Sequence, residues 1–262
     1  MLLDFTHRFD KRASDYSKYR PSYPVAILDI LRSETGFGPS TIVADIGSGT
    51  GLLSKLFLQN GNTVYGVEPN DEMRSYAEQS LSVFPGFVSI SGRAESSGLK
   101  DASVDLITVG QALHWFDRDP TIREFARILR MKGHLCVVYN DRNINDIFIK
   151  GYEEVVQRHA RDRAEVLDVW RAEPWKEDNL SAFFHEREYR RFNLRNQQFL
   201  DLDGLMGRMM SASYMPNIDE QKRFNGLKTD VSKLFETWQK EGRVRLLYDT
   251  VISLGSVRRN PS

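Results

Sequence analysis

Val43-Ala-Asp-Ile-Gly-Ser-Gly-Thr-Gly51, with Glu68 at the end of the next apolar run, is the stretch that decides the fold. The pattern predicts a strand, a glycine-rich turn and a helix that begins directly behind the turn. Glycine lets the backbone adopt positive φ angles and approach a ligand closely, and the start of a helix presents unpaired N–H groups at the positive end of its dipole. An acid at the end of the second strand can accept hydrogen bonds from both hydroxyls of a ribose. We therefore expect a nucleoside here.

The spacing of the glycines argues against a dinucleotide. A dinucleotide site requires G-x-G-x-x-G, and the third glycine of that pattern would fall at Leu52. Asp45 stands two residues before the first glycine, where its carboxylate would repel a pyrophosphate and attract an ammonium or sulfonium group. S-adenosylmethionine has a ribose, two cationic centres and no phosphate, so it fits these residues better.

The pattern Asp45-x-Gly47-x-Gly49-x-Gly51 resembles motif I of the class I methyltransferases at every defined position. The resemblance implies an α/β fold: a Rossmann-like, seven-stranded, mostly parallel sheet with helices on both faces and an inserted cap. It also implies that S-adenosyl-L-methionine is the cofactor. In this family the acid at the position of Asp45 reaches the ammonium group directly or through water, and the backbone at Gly47, Ser48 and Gly49 would pass under the cofactor.

Further cofactor contacts are implied beyond the second and third predicted strands. Glu68, followed by Pro69, would take the ribose hydroxyls. Ala94 and Glu95 would face the adenine, because an acid accepts from its amino group and a backbone N–H donates to a ring nitrogen. Ordinary alternatives remain open at each acid: a turn cap for Asp45, a solvated loop position for Glu68 and a plain turn residue for Glu95.

The N-terminal segment Phe9-x5-Asp-Tyr-x2-Tyr-Arg-Pro-x-Tyr-Pro24 resembles a branch of these enzymes similar to trans-aconitate methyltransferase. In that branch a tyrosine-bearing helix closes over the cofactor and an arginine meets its carboxylate. Tyr16 and Arg20 are four residues apart and would share a helix face, and the planar fork of arginine suits a carboxylate. Alternatively, the tyrosines only attach an N-terminal helix to the core.

The fourth predicted strand ends in Gly110-Gln-Ala-Leu-His-Trp-Phe116, which resembles the same small-molecule branch. Gln111 would lie near the methionine portion of the cofactor, and Trp115 would form a wall of the acceptor site. His114 is the one titratable side chain placed for base chemistry near the methyl group. Catalytic base, substrate orientation and a structural role stay equally open for it.

A methionine-rich stretch follows in the second half of the chain, around Ser211-Ala-Ser-Tyr214. Ser211, Ser213 and Tyr214 are candidate substrate residues at the mouth of the acceptor pocket. The neighbouring methionines either line an apolar pocket, since thioethers are adaptable, or fill a helical core: Met206, Met209, Met210 and Met215. The five histidines lack the spacing of a metal site, so no metal is expected.

Composition narrows the possible partners. Lys plus Arg and Asp plus Glu number 36 each in 262 residues, so no overall field attracts nucleic acid, and the net charge argues against it as a partner. The single cysteine, Cys136, excludes a disulfide framework. Neither a signal-peptide core nor an apolar run of about 18 residues is seen. We expect a cytoplasmic protein with a small-molecule substrate and no membrane contact; the oligomeric state is not predicted.

Three regions are expected. Residues 1–40 form a helical segment closing over the cofactor, residues 41–141 a cofactor-binding α/β core, and residues 142–262 a cap together with the last strands of the sheet. The predicted strands are Ile42–Ile46, Thr63–Val67, Phe87–Ile90, Val104–Val109, His134–Tyr139, a charged edge strand His185–Leu194 and an apolar inner strand Val244–Leu254; helices are expected at Pro24–Leu31, Ile147–His159 and Asp219–Trp238.

The sequence thus predicts a methyltransferase that uses S-adenosylmethionine and transfers the methyl group to a small molecule. A carboxylate or hydroxyl oxygen is the leading acceptor by resemblance. Two alternatives remain: an RNA or protein methyltransferase, and a protein that binds S-adenosylmethionine without turnover.

Overall fold

The chain folds around one seven-stranded sheet. The computed structural model describes residues 17–160, 177–212, 214–216 and 220–259. The strands are β1 (Val43–Ile46), β2 (Val64–Val67), β3 (Phe87–Ile90), β4 (Val104–Gly110), β5 (Leu129–Arg142), β6 (Arg190–Leu200) and β7 (Val244–Gly255). Their order is β3-β2-β1-β4-β5-β7-β6. The first five strands are parallel, and β7 runs antiparallel to both β5 and β6.

Helices connect the strands and complete the cap. They are α1 (Ala26–Thr35), α2 (Leu52–Gln59), α3 (Asp71–Ser80), α4 (Arg118–Ile128), α5 (Ile147–His159), α6 (Glu177–Ser181), α7 (Leu202–Met210) and α8 (Gln221–Trp238). Helices α2 to α4 stand between successive parallel strands, which is the arrangement of a doubly covered sheet.

Strand β1 is buried on both faces, and its alternating side chains divide the core. Ala44 and Ile46 belong to one apolar cluster with Phe125 of α4. Val43 belongs to a second cluster with Phe57 of α2. Because successive side chains of a strand point to opposite faces, the two clusters show that helices cover both sides of the sheet. The predicted fold class is confirmed.

The cap has its own apolar core, built by α5, α7 and α8 against the ends of β6 and β7. Met209 and Met215 are fully buried in this cluster, and Met206 and Met210 are half-buried against it. The structure therefore favours core packing over pocket lining for the methionine-rich stretch. Along α8, Leu227, Val231 and Phe235 are buried, whereas Trp238 at its end is exposed.

The structure differs from the sequence-based expectations at several element boundaries; helix α1, for example, spans Ala26–Thr35 and not Pro24–Leu31. The edge strand β6 begins only at Arg190, because His185–Arg187 forms a short 3-10 turn in which Glu186 has a φ of 51°. Strand β5 is longer than expected because α4 passes into it directly at Leu129. The pair Asp119-Pro120 predicts a cap followed by a first helical residue. Helix α4 instead begins at Arg118 after Asp117, so Pro120 lies within the first turn, where a missing N–H costs nothing.

Candidate active site

The glycine loop, Gly47–Gly51, connects β1 to α2 and carries the strongest backbone constraint of the site. Its three glycines have φ angles of 68°, 55° and 81°, a region that side chains disfavour. The N–H groups of Gly47 and Ser48 donate to the carbonyl of Val67 at 2.8 and 3.1 Å. A Cβ on Gly47 would lie 2.7 Å from the Cβ of Ala112. The loop is therefore fixed between the end of β2 and the residues that follow β4.

Asp45 lies behind this loop, inside the protein. Its carboxylate accepts a hydrogen bond from the Ser54 hydroxyl at 2.6 Å and another from the Thr108 hydroxyl at 3.1 Å. Burial raises the pKa of Asp45 to about 6, although both hydroxyl donors act to lower it. The acid is held in one orientation by α2 and β4. The structure thus places it at the carboxyl end of β1, as predicted, with hydroxyl partners on two other elements.

Glu68 at the end of β2 is hydrogen-bonded to the glycine loop. Its two oxygens accept the N–H of Gly49 and the N–H of Asn70, each at 2.9 Å. The residue is buried, and burial raises the pKa of the carboxyl group. Asn70 in turn caps α3, because its side chain accepts the N–H of Met73. Pro69, between these two residues, is half-buried.

The turn after β3 carries the residues predicted to face adenine. Arg93 and Ser96 pair through reciprocal backbone hydrogen bonds of 3.1 Å, so that Ala94 and Glu95 form the tip of a tight turn. Ala94 is buried. The Glu95 carboxylate accepts the N–H of Asp117 at 2.8 Å and so stabilises the start of α4. An adenine contact through Glu95 stays a prediction.

The carboxyl end of β4 brings Gln111 and His114 next to the loop. Gln111 has a φ of 57°, and its side chain donates to the carbonyl of Asn140 at 3.1 Å. The His114 ring lies 4.5 Å from the Trp115 ring and 6.5 Å from that of Tyr139, centre to centre. Burial, together with the positive charge of Arg20, lowers the pKa of His114 to about 4.

These residues fit S-adenosylmethionine. Two buried carboxylates flank a loop whose backbone is forced into positive φ, and such a pair disfavours a phosphate group. The Thr50 hydroxyl in the loop is buried without a hydrogen-bond partner in the described part of the chain. Among the described residues, a Cβ on Gly49 would meet only the Met73 sulfur, at 3.4 Å, so those residues do not pack tightly against the loop there. The two carboxylates therefore suit a ribose and an ammonium group, both of which donate hydrogen bonds.

Known proteins match the same region. Residues 44–137, which include the glycine loop and Glu68, match the family described as a methyltransferase domain. The chain therefore contains an S-adenosylmethionine-dependent methyltransferase domain. An uncharacterized methyltransferase-like protein of Schizosaccharomyces pombe is 24% identical over 246 residues, or 93% of both proteins. An uncharacterized methyltransferase of Mycobacterium tuberculosis is 34% identical over 163 residues, which are 61% of this chain and 64% of that protein, less than two thirds of its length.

Two solved structures share the fold of the methyltransferase. A protein from Anaeromyxobacter dehalogenans described as a type II methyltransferase superposes with a TM-score of 0.64 at 21% identity, covering 92% of this chain and 100% of that one. A phosphoethanolamine N-methyltransferase of Haemonchus contortus, in complex with S-adenosylhomocysteine, gives a TM-score of 0.52 at 14% identity, covering 99% and 60%. At such identities the likeness shows the architecture alone.

An N-terminal segment, residues 17–24, lies over the active-site edge of the methyltransferase sheet. The Ser22 carbonyl accepts the side-chain N–H of Asn196 at 2.8 Å and that of Asn140 at 3.4 Å. The Tyr19 ring packs against Gly207 of α7, where a Cβ would lie 2.3 Å from it. Tyr23 reaches the end of β4, since a Cβ on Gly110 would lie 2.7 Å from its hydroxyl.

Arg20 connects this segment to the cap. Its guanidinium donates to the Ser211 carbonyl at 3.1 Å, and Ser211 is fully buried. The Ser211 hydroxyl donates to the carbonyl of Arg208 and so pairs a backbone carbonyl in the last turn of α7. Two other predicted site residues, Tyr16 and Ser213, lie outside the described residues.

Trp115 and Tyr214 are both half-buried but stand on different parts of the molecule. Trp115 packs against the apolar cluster under α4, beside His114. Tyr214 packs against the core of the cap and affects the pKa of two buried arginines, Arg142 and Arg208. Those arginines were not predicted. The available signal was Arg208 itself, which interrupts the apolar spacing of Leu205, Met209 and Ala212.

Within the described residues, no helix has both the length and the apolar character needed to cross a bilayer. The same part of the chain contains no group of three or more His, Cys, Asp or Glu side chains placed to bind a metal ion. Cys136 is buried in β5, and burial raises the pKa of its thiol to about 12.

Proposed function

We propose that the methyltransferase transfers the methyl group to an oxygen atom of a small molecule, a carboxylate or a hydroxyl, as in the branch similar to trans-aconitate methyltransferase. The observation that supports the proposal is the cover over the site. The N-terminal segment is hydrogen-bonded to β5 and β6 through Ser22 and packed on α7 through Tyr19. A site covered in this way suits a small acceptor better than the surface of an RNA or a folded protein.

The cofactor supplies a methyl group activated by the positive sulfur, and the protein supplies position and exclusion of water. The glycine loop, Asp45 and Glu68 are the residues that would hold it. His114, with a pKa of about 4, is neutral at physiological pH, so its ring can accept a proton or a hydrogen bond from an acceptor hydroxyl. An acceptor that is already a carboxylate needs no base, and His114 would then only orient it.

Labelled methyl transfer tests the proposal. S-adenosylmethionine labelled at the methyl group is offered to small carboxylic acids, phenols, RNA and protein extracts. We expect label in an acid or phenol pool. Label confined to RNA or protein would contradict the proposed acceptor, and binding without transfer to any pool would identify a binding protein without turnover.

Replacing Glu68 tests the cofactor site directly. Glu68→Gln keeps the side-chain size but removes the charge that accepts the Gly49 and Asn70 N–H groups. Ligand at 100 times its dissociation constant stabilises a protein by about 2.7 kcal/mol, and we expect Glu68→Gln to lose most of this S-adenosylmethionine-dependent shift in melting temperature. Glu78→Gln on the exposed side of α3, where Glu78 contacts Ser89, is the control. An equal shift in both variants would remove Glu68 from the site.

A further inference from the structure

Arg208 occupies a core position of the cap. It lies on the face of α7 that also carries Leu205 and Met209, both fully buried, and only 3% of Arg208 itself is exposed. An arginine is among the residues least often buried to this extent, unless it is paired with an acid. Its presence here requires an explanation.

The hydrogen bonds of Arg208 are incomplete. Its Nε donates to the hydroxyl of Tyr248 at 3.2 Å, and the guanidinium carbon lies 6.0 Å from the centre of the same ring. Its Nη1 is buried and has no hydrogen-bond partner among the residues that the structure describes. A buried charged donor without an acceptor is costly, more so than a neutral one, so the native structure is expected to supply an acceptor under working conditions.

The groups around Arg208 do not neutralise it. Burial alone would lower the pKa of Arg208, and the hydroxyls of Tyr248, Tyr152 and Tyr214 are the neighbours that raise it. A second buried guanidinium, that of Arg142, is close enough for the two charges to disfavour one another. Arg142 is paired with Glu153, whereas no carboxylate is among the groups that raise the pKa of Arg208 most.

The position of Arg208 relates it to the acceptor side of the active site. Tyr248 donates to the Gln198 side chain at 3.3 Å, and Gln198 donates to the carbonyl of Tyr19 at 2.9 Å. Three residues after Arg208, Ser211 accepts a hydrogen bond from Arg20, whose charge lowers the pKa of His114. Arg208 thus lies on the helix of the cap that contacts Tyr19 and Arg20 of the N-terminal segment.

We propose that Arg208 binds a carboxylate group of the methyl acceptor, with the hydroxyl of Tyr248 beside it. The planar fork of a guanidinium matches a carboxylate with two parallel hydrogen bonds, and the unpartnered Nη1 provides a donor for it. The inference rests on the proposed small-molecule function and narrows the substrate class to organic acids. Arg208 is then the residue that distinguishes an acid from its neutral ester.

Binding to the full chain saturated with S-adenosylhomocysteine tests this assignment. Succinate, glutarate, adipate and benzoate are titrated by calorimetry beside their methyl esters, which keep the carbon skeleton but lack the charge, and beside methyl phosphate. We expect at least one acid to bind at least tenfold more tightly than its ester. No preference for any acid over its ester would overturn the proposal, and tighter binding of methyl phosphate than of every acid would overturn the assignment to a carboxylate.

Variants assign the preference to Arg208. Arg208→Met is expected to lose the acid preference by at least tenfold, while its affinity for S-adenosylhomocysteine stays within twofold of wild type. Arg158→Met is the matched control, because Arg158 lies on α5 of the same cap but is exposed and paired with Asp230. An acid preference retained in Arg208→Met, or lost equally in Arg158→Met, would contradict the proposal.

A second substitution covers the case in which Arg208→Met does not fold. Arg208→Lys keeps the charge but not the fork, and we expect acid binding at least threefold weaker than in wild type; unchanged binding would overturn the proposal. The proposed function fails separately. If no small molecule accepts labelled methyl, the function is wrong whatever Arg208 binds. If neutral acceptors are methylated as efficiently as acids, with the same KM in Arg208→Lys and wild type, only this inference fails.

Discussion

Asp45 illustrates what spacing in a sequence can and cannot predict about one residue. Its position before the glycines and at the end of β1 followed from the pattern. Its hydrogen-bond partners did not, because Ser54 is nine residues away and Thr108 is 63 residues away and only the folded sheet brings them together. The hydrogen bond from the N–H of Gly49 to the Glu68 carboxylate likewise could not be predicted from the spacing. Spacing identifies the acids, whereas tertiary structure determines what holds them.

His114 is predicted to show an unusual pH profile if it acts as the base. With a pKa of about 4 it remains deprotonated down to acidic pH, so kcat should have no inflection near 6.5, the usual value for histidine. His114→Gln should lower kcat by about 100-fold or more, as loss of a general base does, and leave S-adenosylmethionine binding unchanged. Steady-state kinetics between pH 5 and pH 9 measure both.

The control for His114 is His185→Gln, because the His185 side chain is 60% exposed on the 3-10 turn before β6. That variant should behave like wild type at every pH. If kcat of His114→Gln is also unchanged, His114 is not a base, and orientation or packing beside Trp115 and Tyr139 would be its remaining role.

At the scale of elements, the strands and helices with strong patterns matched the sequence-based expectations closely. Strand β3 and helix α5 have the predicted bounds. The edge strand begins later than predicted. Charged residues alternate with apolar ones from His185 onward, and only the folded backbone shows the turn at Glu186. The N-terminal cover was predicted by resemblance, but its contacts with Asn196 and Gly207 join residues far apart in the chain.

Gly47 should not tolerate a side chain. Gly47→Ala places a Cβ 2.7 Å from Ala112 and 3.1 Å from the Phe116 ring, at a φ of 68°. Positive φ alone costs about 1–2 kcal/mol for alanine, so we expect the free energy of unfolding to fall by about 2 kcal/mol or more and S-adenosylmethionine binding to weaken. Urea denaturation and calorimetry measure the two effects.

The matched control is Gly38→Ala, where a Cβ would meet no atom of the described part of the chain within 4 Å. A Gly→Ala change that causes no strain stabilises a protein by about 0.4–1 kcal/mol through the unfolded chain. A Gly47→Ala protein as stable as Gly38→Ala would show that the loop accommodates a side chain.

Gly207 on α7 controls the docking of the N-terminal segment. Gly207→Ala favours the helix by about 1 kcal/mol but puts a Cβ 2.3 Å from the Tyr19 ring, so the ring must move away. We expect faster tryptic cleavage at the Lys18–Tyr19 bond and a raised KM for the acceptor, with the sheet unchanged. Timed proteolysis followed by mass spectrometry measures the first effect.

Gly226→Ala on α8 is the corresponding helical control, since its Cβ would lie 3.2 Å from the His159 ring and would not touch the segment. Cleavage at Lys18 should stay at the wild-type rate in this variant. Equal rates in Gly207→Ala and Gly226→Ala would argue that Tyr19 does not fasten the segment.

At the scale of the whole molecule, two groups with shifted pKa values act on stability in opposite directions as pH changes. The pKa of Asp45 is raised from 3.8 to about 6, so its contribution to stability is complete below pH 4 and is lost as pH rises through 6. The pKa of His114 is lowered from 6.5 to about 4, so its contribution is present above pH 6.5 and is lost as pH falls through 4. Each difference corresponds to about 3 kcal/mol.

In the wild type, the opposite effects of Asp45 and His114 on the free energy of unfolding cancel as pH changes. We therefore expect each single variant to reveal the pH dependence that the other residue contributes. Relative to wild type, Asp45→Asn should gain stability as pH rises from 4 to 6, and His114→Gln should gain stability as pH falls over the same range. Urea midpoints at pH 4, 5, 6 and 7 measure these differences. Variants that run parallel to wild type across the range would show that neither shift exists.

The order of strands at one side of the sheet has a consequence for biosynthesis. Strand β6 is the outermost strand and pairs with β7, which lies between it and β5. While the chain emerges from the ribosome, residues 190–200 therefore have no strand to pair with until residues 244–255 have been made. The edge of β5 that pairs with β7 is unpaired during the same interval. An unpaired strand is open to wrong association. The arginines on the outer strand, among them Arg190, Arg191 and Arg195, give the nascent chain a charged barrier against aggregation during that interval.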